Sequence, residues 1–528
     1  MKVLPKVDDL SNVVRQRFLH SILSSSFRSG LDCNAVCSFY GFSELEDCIV
    51  LVHGPRTCAY HLNLLPVDAI RLKILKKHYN PPTFFTGVGE EATIYGGTDK
   101  LRDSLEQLAR KYAKKFVLGV VTTCIPSIIG DDVEFAIREV QESFDVKVVS
   151  VRSPGFEDER GKIDDFVEAT RESIRGEEAK AGIEGCGRIN AWKAIIEQLV
   201  LERDVEVEVD ERAVNLETYG RLHYFEDLEG EIEEFKNLLG LMGLKLNVVF
   251  PGCSSSDVLK IPRAPLSVIR RSRRVFEELQ KKFDLRYLYD PLHTNYVGIE
   301  GVERLYLDIG RFYGREGEAE NVLKLVRSEF DDYIDKFKET LRGRRVAISL
   351  TPSTVTMAFL KFIELLGLKI EIVFISTEWL DRYGADKDKT LKLANELAST
   401  ITSDLESSPD VYINLDVYSE AAKAKKRSID IALIANLSDT LQRSFIYDRQ
   451  GVLSLPIQES GFSMFRYSFS SMLRLPNAMV KLLNNPQLER KPLYSRFTFH
   501  PYLYPVTLDE TPFRLCYEAI MREIWKGD

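Results

Sequence analysis

Residues 116–151 read FVLGVVTTCIPSIIGDDVEFAIREVQESFDVKVVSV, and this stretch decides the fold class. Phe116–Thr123 is short, β-branched and uncharged, the pattern of a strand buried on both faces. Gly130-Asp131-Asp132 opens a helix that places Val133, Ala136, Val140 and Phe144 on one side. Acidic residues suit that position because the first N–H groups of a helix are unpaired and its dipole is positive there. Val146–Val151 then reads as the next strand, which completes a βαβ unit.

The same alternation extends in both directions. Asp99–Lys115 carries Leu101, Leu105, Leu108 and Tyr112 at helical spacing, with charges on the other face. Leu228–Met242 predicts a helix and Lys245–Phe250 a strand. Pro265–Phe283 reads as a helix and Leu285–Tyr289 as a strand. Glu318–Leu341, with Val322, Leu325, Phe330 and Ile334, predicts a long connecting helix. From Arg345 a third series begins, with strands at 345–350, 368–375, 411–415 and 429–435 and helices between them. The chain is therefore expected to be α/β, with three parallel-sheet domains. The expected divisions are an N-terminal extension over 1–29, a first domain over 30–230, a second with its connector helix over 231–342, a third over 343–484, and a tail over 485–528. Residues 174–228 fit no clean period and read as an insertion.

Composition narrows the function classes. The 528 residues are 44% hydrophobic and 29% charged, a globular profile. Lys+Arg 71 against Asp+Glu 80 leaves a net charge of -9. General nucleic-acid binding needs a basic face, so no nucleic-acid partner is expected. Apolar runs fall well short of the ~20 residues that span a bilayer, so no membrane partner is expected. The first residues lack an apolar signal region, and a cytoplasmic location is expected.

Eight cysteines are present, and five of them (Cys33, Cys37, Cys48, Cys58 and Cys124) lie in the first quarter of the chain. In a reducing compartment such crowding points to a metal or iron–sulfur site rather than to disulfides. Cys33 lies in Asp32-Cys33-Asn34-Ala35. Cys58 lies in His53-Gly54-Pro55-Arg56-Thr57-Cys58, a turn after a strand. Cys124 lies in Thr122-Thr123-Cys124-Ile125-Pro126, where a buried strand ends and a helix begins. Ligands of open α/β sheets bind beyond the carboxyl ends of strands, and helix N-termini stabilise thiolates there. The spacings are far wider than in ferredoxin or zinc-ribbon motifs, so spacing alone favours packed thiols.

The surrounding words carry more. CNAVCSFYGF, VLVHGPRTCAY, EEATIYGGTDKL and GVVTTCIPSIIGDDVE, in that order, resemble the nitrogenase component-1 superfamily. That group holds the nitrogenase subunits, their cofactor-assembly homologues and nitrogenase-like reductases. The resemblance is strongest over residues 30–160 and continues more weakly into the third module. It implies three Rossmann-like parallel-sheet domains around a central cleft. It also implies assembly with an identical or homologous component-1 subunit, and an iron–sulfur cluster between the two. Carried over position by position, Cys33, Cys58 and Cys124 match the cluster ligands, which makes 30–230 the cluster-binding domain. The cluster is a [4Fe-4S] or a P-cluster-like centre. The longer second gap resembles the nitrogenase α side more than its β side. The implied activity is that of an oxidoreductase subunit fed by a nitrogenase-iron-protein-like ATPase. The alternative is a non-catalytic scaffold for metal-cofactor assembly. No P-loop occurs in the sequence, so ATP hydrolysis would belong to the partner.

The departures matter as much. The family's second metallocofactor is anchored by a Cys whose position falls near Ile269 and by a His whose position falls near Gln458. Neither present residue supplies thiolate or imidazole. A dinitrogen-reducing α subunit is therefore not expected, and which second metallocofactor is bound, if one is, stays open. Cys253, in a Gly/Ser turn, and Cys37, one turn after Cys33, have open roles, with packing favoured for both. Cys48 reads as core. His53 reads as structural, and the Gly96-Gly97 pair only weakly suggests a phosphate turn. Arg270, Arg271, Arg273 and Arg274 read as a solvated helix face, or as a site for an acidic cofactor.

Overall fold

The computed structural model describes residues 33–58, 83–112, 115–155, 160–178, 187–203, 207–218, 228–291, 294–382, 385–436, 440–457 and 467–484. The expected extension and tail lie outside these residues, as do Cys186, Cys516, His61, His78 and Gln458.

Among the described residues, thirteen strands form three sheets, and every strand pairing is parallel. The first sheet runs β2-β1-β3-β4, with β1 Cys48–His53, β2 Thr83–Phe85, β3 Val117–Thr122 and β4 Val148–Arg152. The second runs β6-β5-β7-β8, with β5 Ala213–Glu217, β6 Lys245–Phe250, β7 Leu266–Ile269 and β8 Arg286–Tyr289. The third runs β11-β10-β9-β12-β13, with β9 Arg345–Leu350, β10 Lys369–Ile375, β11 Asp410–Ile413, β12 Ile431–Ala435 and β13 Ser454–Pro456. The expected α/β architecture of three parallel sheets is thus what the chain adopts.

The buried pattern follows from the parallel arrangement. Every residue of β1 and of β3 is buried, because helices cover both faces of the sheet. Helices Thr98–Tyr112 and Val133–Ser143 close one face with Leu101, Leu105, Ala136 and Val140. The other face continues into a core that includes Phe250, Ile269 and Phe276 of the second unit. The second and third units share a further core, threaded by the helix Glu316–Leu341, whose Val322, Val326, Phe330 and Ile334 are buried. Leu325, expected on the apolar face, is 45% exposed; Val326, one position on, takes the inward place.

Two readings change. Pro265–Phe283 is not one helix. Leu266–Ile269 forms β7, all four residues buried, and the helix starts only at Arg273. A four-residue strand next to an amphipathic helix has no period of its own. Residues 174–228 are not simply an insertion. They hold a helix, Gly187–Ile196, packed on helix Asn34–Ser43, and β5, which lies between β6 and β7. The second sheet therefore draws in residues that precede position 231.

Candidate functional site

Strand register brings the cysteine motifs together. In the β1–β3 pairing, His53 lies opposite Thr122. The chain leaving β1 toward Cys58 and the chain leaving β3 toward Cys124 therefore emerge side by side. In the β3–β4 pairing, Thr122 lies opposite Arg152, and the Ser153 N–H donates to the Thr122 carbonyl at 3.0 Å. This puts Pro154-Gly155 next to Thr123-Cys124.

Two of the thiols stand at the start of a helix and the third at the end of a helical turn. Cys33 is the N-cap of helix Asn34–Ser43, and Cys124 is the first residue of helix Cys124–Ile129, after an extended Thr123. Cys58 ends a single turn in which its N–H donates to the Pro55 carbonyl at 3.1 Å. All three are half-buried and free of disulfides.

Gly155 is the common neighbour. A Cβ placed on it would lie 2.8 Å from the Cys33 Sγ and 3.5 Å from the Cys124 Sγ. Its N–H donates to the Cys124 Sγ at 3.1 Å. The two thiols thus flank a backbone that only glycine leaves bare. Cys58 completes the group. Burial pushes its thiol pKa up, the nearby Cys33 and Cys124 push it further, and the Thr123 hydroxyl opposes them. Among the described residues, no His, Cys, Asp and Glu group converges tightly enough to hold one metal ion. Thiols are nonetheless the donor type that an iron–sulfur cluster takes, and Cys33 and Cys124 share the Gly155 backbone with Cys58 close by. Serine hydroxyls pin the cradle: Ser38 Oγ lies 2.6 Å from Ser153 Oγ and donates to the Gly187 carbonyl at 2.7 Å. Gly155 and Ser38 were not singled out from sequence. The signal that could mark the position is the Pro154-Gly155 pair directly after a strand.

Behind the cysteines, the His53, Gly97 and Asp131 motifs form one buried network. His53 Nε2 donates to Asp131 Oδ2 at 2.8 Å, and the Gly97 N–H donates to Asp131 Oδ1 at 2.6 Å. Thr86 Oγ1 lies 3.0 Å from His53 Nδ1 and accepts from the Gly54 N–H at 3.1 Å. Burial lowers the His53 pKa, against the raising effect of Asp131. The imidazole is therefore neutral, with its proton on Nε2 facing the carboxylate. A Cβ on Gly97 would sit 2.5 Å from Asp131 Oδ2. The glycine pair is thus a close-approach element whose Gly97 amide is already taken, not a phosphate turn. His53 is structural, as its sequence context indicated.

The helix that begins at Cys124 and its neighbour carry exposed apolar side chains. Ile94 and Tyr95 of helix Glu90–Tyr95 and Ile128 of helix Cys124–Ile129 are 75%, 82% and 69% exposed, and the two helices touch. Large apolar side chains exposed on two touching helices have the composition of a protein contact surface.

Of the other described thiols, Cys48 and Cys253 are packed in the core. Cys48 is buried in the first sheet, where burial pushes its thiol pKa far up. Cys253 is buried in the core between the first and second units, and its carbonyl accepts from the Glu46 N–H at 2.9 Å. Cys37 is half-buried, with its N–H on the Cys33 carbonyl at 3.0 Å.

The position near Ile269 is equally closed. Ile269 ends β7 fully buried in apolar core. The next three residues wrap the buried Glu217 carboxylate. It accepts from the Arg270, Arg271 and Ser272 N–H groups at 2.6, 3.1 and 3.3 Å, and from Ser272 Oγ at 2.7 Å. Arg270 is buried with its guanidinium 3.9 Å from the Tyr467 ring centre, and Tyr467 donates to Asp290 at 2.9 Å. The arginine cluster is thus not one solvated helix face: Arg270 and Arg271 precede the helix, and Arg270 is interior.

Residues 33–447 match the family model described as nitrogenase component 1 type oxidoreductase. The chain is 24% identical over 368 residues to the nitrogenase iron-molybdenum cofactor biosynthesis protein NifE of Clostridium pasteurianum, across 67% of this chain and 71% of that protein. It is 24% identical over 333 residues to the nitrogenase molybdenum-iron protein alpha chain of Methanothermobacter marburgensis, across 59% of this chain and 62% of that one, so the match leaves more than a third of that relative unmatched. Its fold is similar to the structure titled "Nitrogenase Cp1 at pH 5", with a TM-score of 0.55 at 15% identity over 88% of this chain and 90% of that one. The chain belongs to the nitrogenase component 1 type oxidoreductase family.

Proposed function

We propose that this chain is a subunit of a nitrogenase-like oxidoreductase. Cys33, Cys58 and Cys124 would ligate an iron–sulfur cluster, of [4Fe-4S] or P-cluster type, shared with a second component-1-type chain. The observation that carries this reading is the meeting of Cys33 and Cys124 at Gly155, whose N–H donates to the Cys124 Sγ, with Cys58 near enough for both thiols to raise its pKa. When bound, such a cluster supplies one-electron relay chemistry. The chain's own part is to hold the thiols, to shield one side with the His53–Asp131 network, and to offer an apolar docking face at Ile94, Tyr95 and Ile128. Those exposed side chains support contact with another protein, either the second subunit or an ATP-dependent iron protein.

A second reading is a scaffold that carries a maturing metal cluster and releases it. The closed, thiol-free position at Ile269 favours it, since no side chain there would retain a cargo, and so does the likeness to the NifE protein. Both readings use the same three cysteines. Single Cys33→Ser, Cys58→Ser and Cys124→Ser variants, purified anaerobically, should lose iron and the reduced-state EPR signal. Full iron content in all three would sink both readings. Turnover separates them. With an iron protein, ATP and a reductant, catalytic consumption of a small substrate identifies the reductase. Stoichiometric delivery of a metal cluster to an acceptor identifies the scaffold.

A further inference from the structure

The three thiols of the cradle are not equally supplied with hydrogen-bond neighbours. Cys124 Sγ accepts from the Gly155 N–H at 3.1 Å. Cys58 has the Thr123 hydroxyl as a hydrogen-bonding neighbour. Among the described residues, no donor reaches Cys33 Sγ.

An unspent amide stands beside that thiol. Asn34 is the first residue of helix Asn34–Ser43, directly after its N-cap Cys33. It is 3% exposed, and its Oδ1 is buried without a hydrogen-bond partner. Its amide nitrogen forms no hydrogen bond with another described residue either. Buried polar side chains are nearly always paired, so an orphaned one calls for a functional explanation.

Packing fixes where this side chain can reach. The Asn34 carbonyl is pressed against Gly187, where a Cβ would lie only 2.0 Å from it. One turn on, Ser38 is tied to Ser153 and to the Gly187 carbonyl. The helix therefore cannot shift to give the amide another partner. Helical side chains lean toward the helix N-terminus, and from the first position that direction leads to Cys33. A half-turn of the terminal amide exchanges Oδ1 for Nδ2 without changing its shape, so the buried end can donate.

We propose that the Asn34 side-chain amide is the donor to the Cys33 sulfur when that sulfur ligates a cluster. The inference rests on the reading of Cys33, Cys58 and Cys124 as cluster ligands, and it holds for the reductase and the scaffold alike. Reduction adds negative charge at the sulfurs, so a donor there favours the reduced state and raises the potential. Asn34 would thus set the potential without being a ligand.

Redox titration of the anaerobically purified full chain, followed by EPR, tests it. Asn34→Leu removes the amide at nearly constant shape. Its midpoint potential should fall by about 59 mV, a tenfold shift of a one-electron equilibrium. Asn34→Asp keeps the shape but offers only acceptors, and its potential should fall further. In the iron-free chain Asn34→Leu should melt no lower than the wild type, because the amide has no partner to lose there. A merely structural role would lower that melting temperature and leave the potential unmoved. Should Asn34→Leu fail to fold or to load iron, Asn34→Ala decides by the same readings. A wild-type potential in the deciding variant overturns the inference and leaves the cluster assignment standing. Wild-type protein that holds no iron removes the assignment and the inference together.

Discussion

His53 Nε2 and Asp131 Oδ2 lie 2.8 Å apart, with side-chain exposures of 0% and 1%, and join the β1 exit to the turn that follows the Cys124 helix. Breaking a buried pair leaves an unpaired polar group, which costs more than the pair contributes. His53→Ala should therefore lower stability by about 2–4 kcal/mol and reduce iron retention with it. Thermal denaturation and iron analysis of the purified variant check both. Unchanged stability would show that the network is not what holds the two cysteine loops.

Gly155→Ala addresses the cradle itself. The added Cβ would fall 2.8 Å from the Cys33 Sγ, closer than van der Waals contact allows. Gly155 is only half-buried, so the fold should survive with a small loss of stability. Iron content should fall well below that of the wild type. A variant with full iron would place the cluster away from Gly155.

The apolar face predicts a separation of functions. Ile128→Asp and Tyr95→Asp put charge on exposed positions, so stability should shift by no more than about 0.5 kcal/mol. Iron content should be retained, while association with the second subunit or the iron protein weakens by tenfold or more, as for an interface anchor worth about 2 kcal/mol. Sedimentation of mixtures, with cluster absorbance as the tracer, reads this directly. Unaltered association by both variants would remove the docking role.

Glu234 predicts a pH dependence far from the cysteines. Burial pushes its carboxyl pKa up from 4.5 to about 7, against the Phe469 and Ser470 N–H groups that it accepts from at 2.7 and 3.1 Å. The buried Glu231, ion-paired with Arg474 at 3.3 Å, also raises it. A native pKa above the unfolded value means that the native state binds more protons between the two. Its stabilising contribution is complete below pH 4.5 and is lost as pH rises through about 7. Denaturant midpoints across that window should fall with pH in the wild type and fall less in Glu234→Gln. An equal slope in both would assign the dependence to other groups.

The sequence by itself determined the α/β class, the three series of strands, and the three words that hold Cys33, Cys58 and Cys124. Those signals are local. A buried parallel strand such as Val117–Thr122 and an amphipathic helix such as Thr98–Tyr112 each carry their own period, and helix starts at Asp132 and Asp416 are marked by side chains that cap them.

Tertiary structure decided the rest, because it depends on pairings between distant positions. His53 finds Asp131 78 residues away, which turns three separate motifs into one support. Gly155 becomes the floor of the cradle only because β4 pairs with β3 in the register that brings Thr122 opposite Arg152. β5 was hidden in an aperiodic stretch and β7 beside a stronger helical pattern, since short strands buried by neighbours on both sides need no period of their own. Arg270 reads as a surface cation in any local window. Glu217, on β5, draws its backbone inward, and Tyr467, from far along the chain, covers its guanidinium.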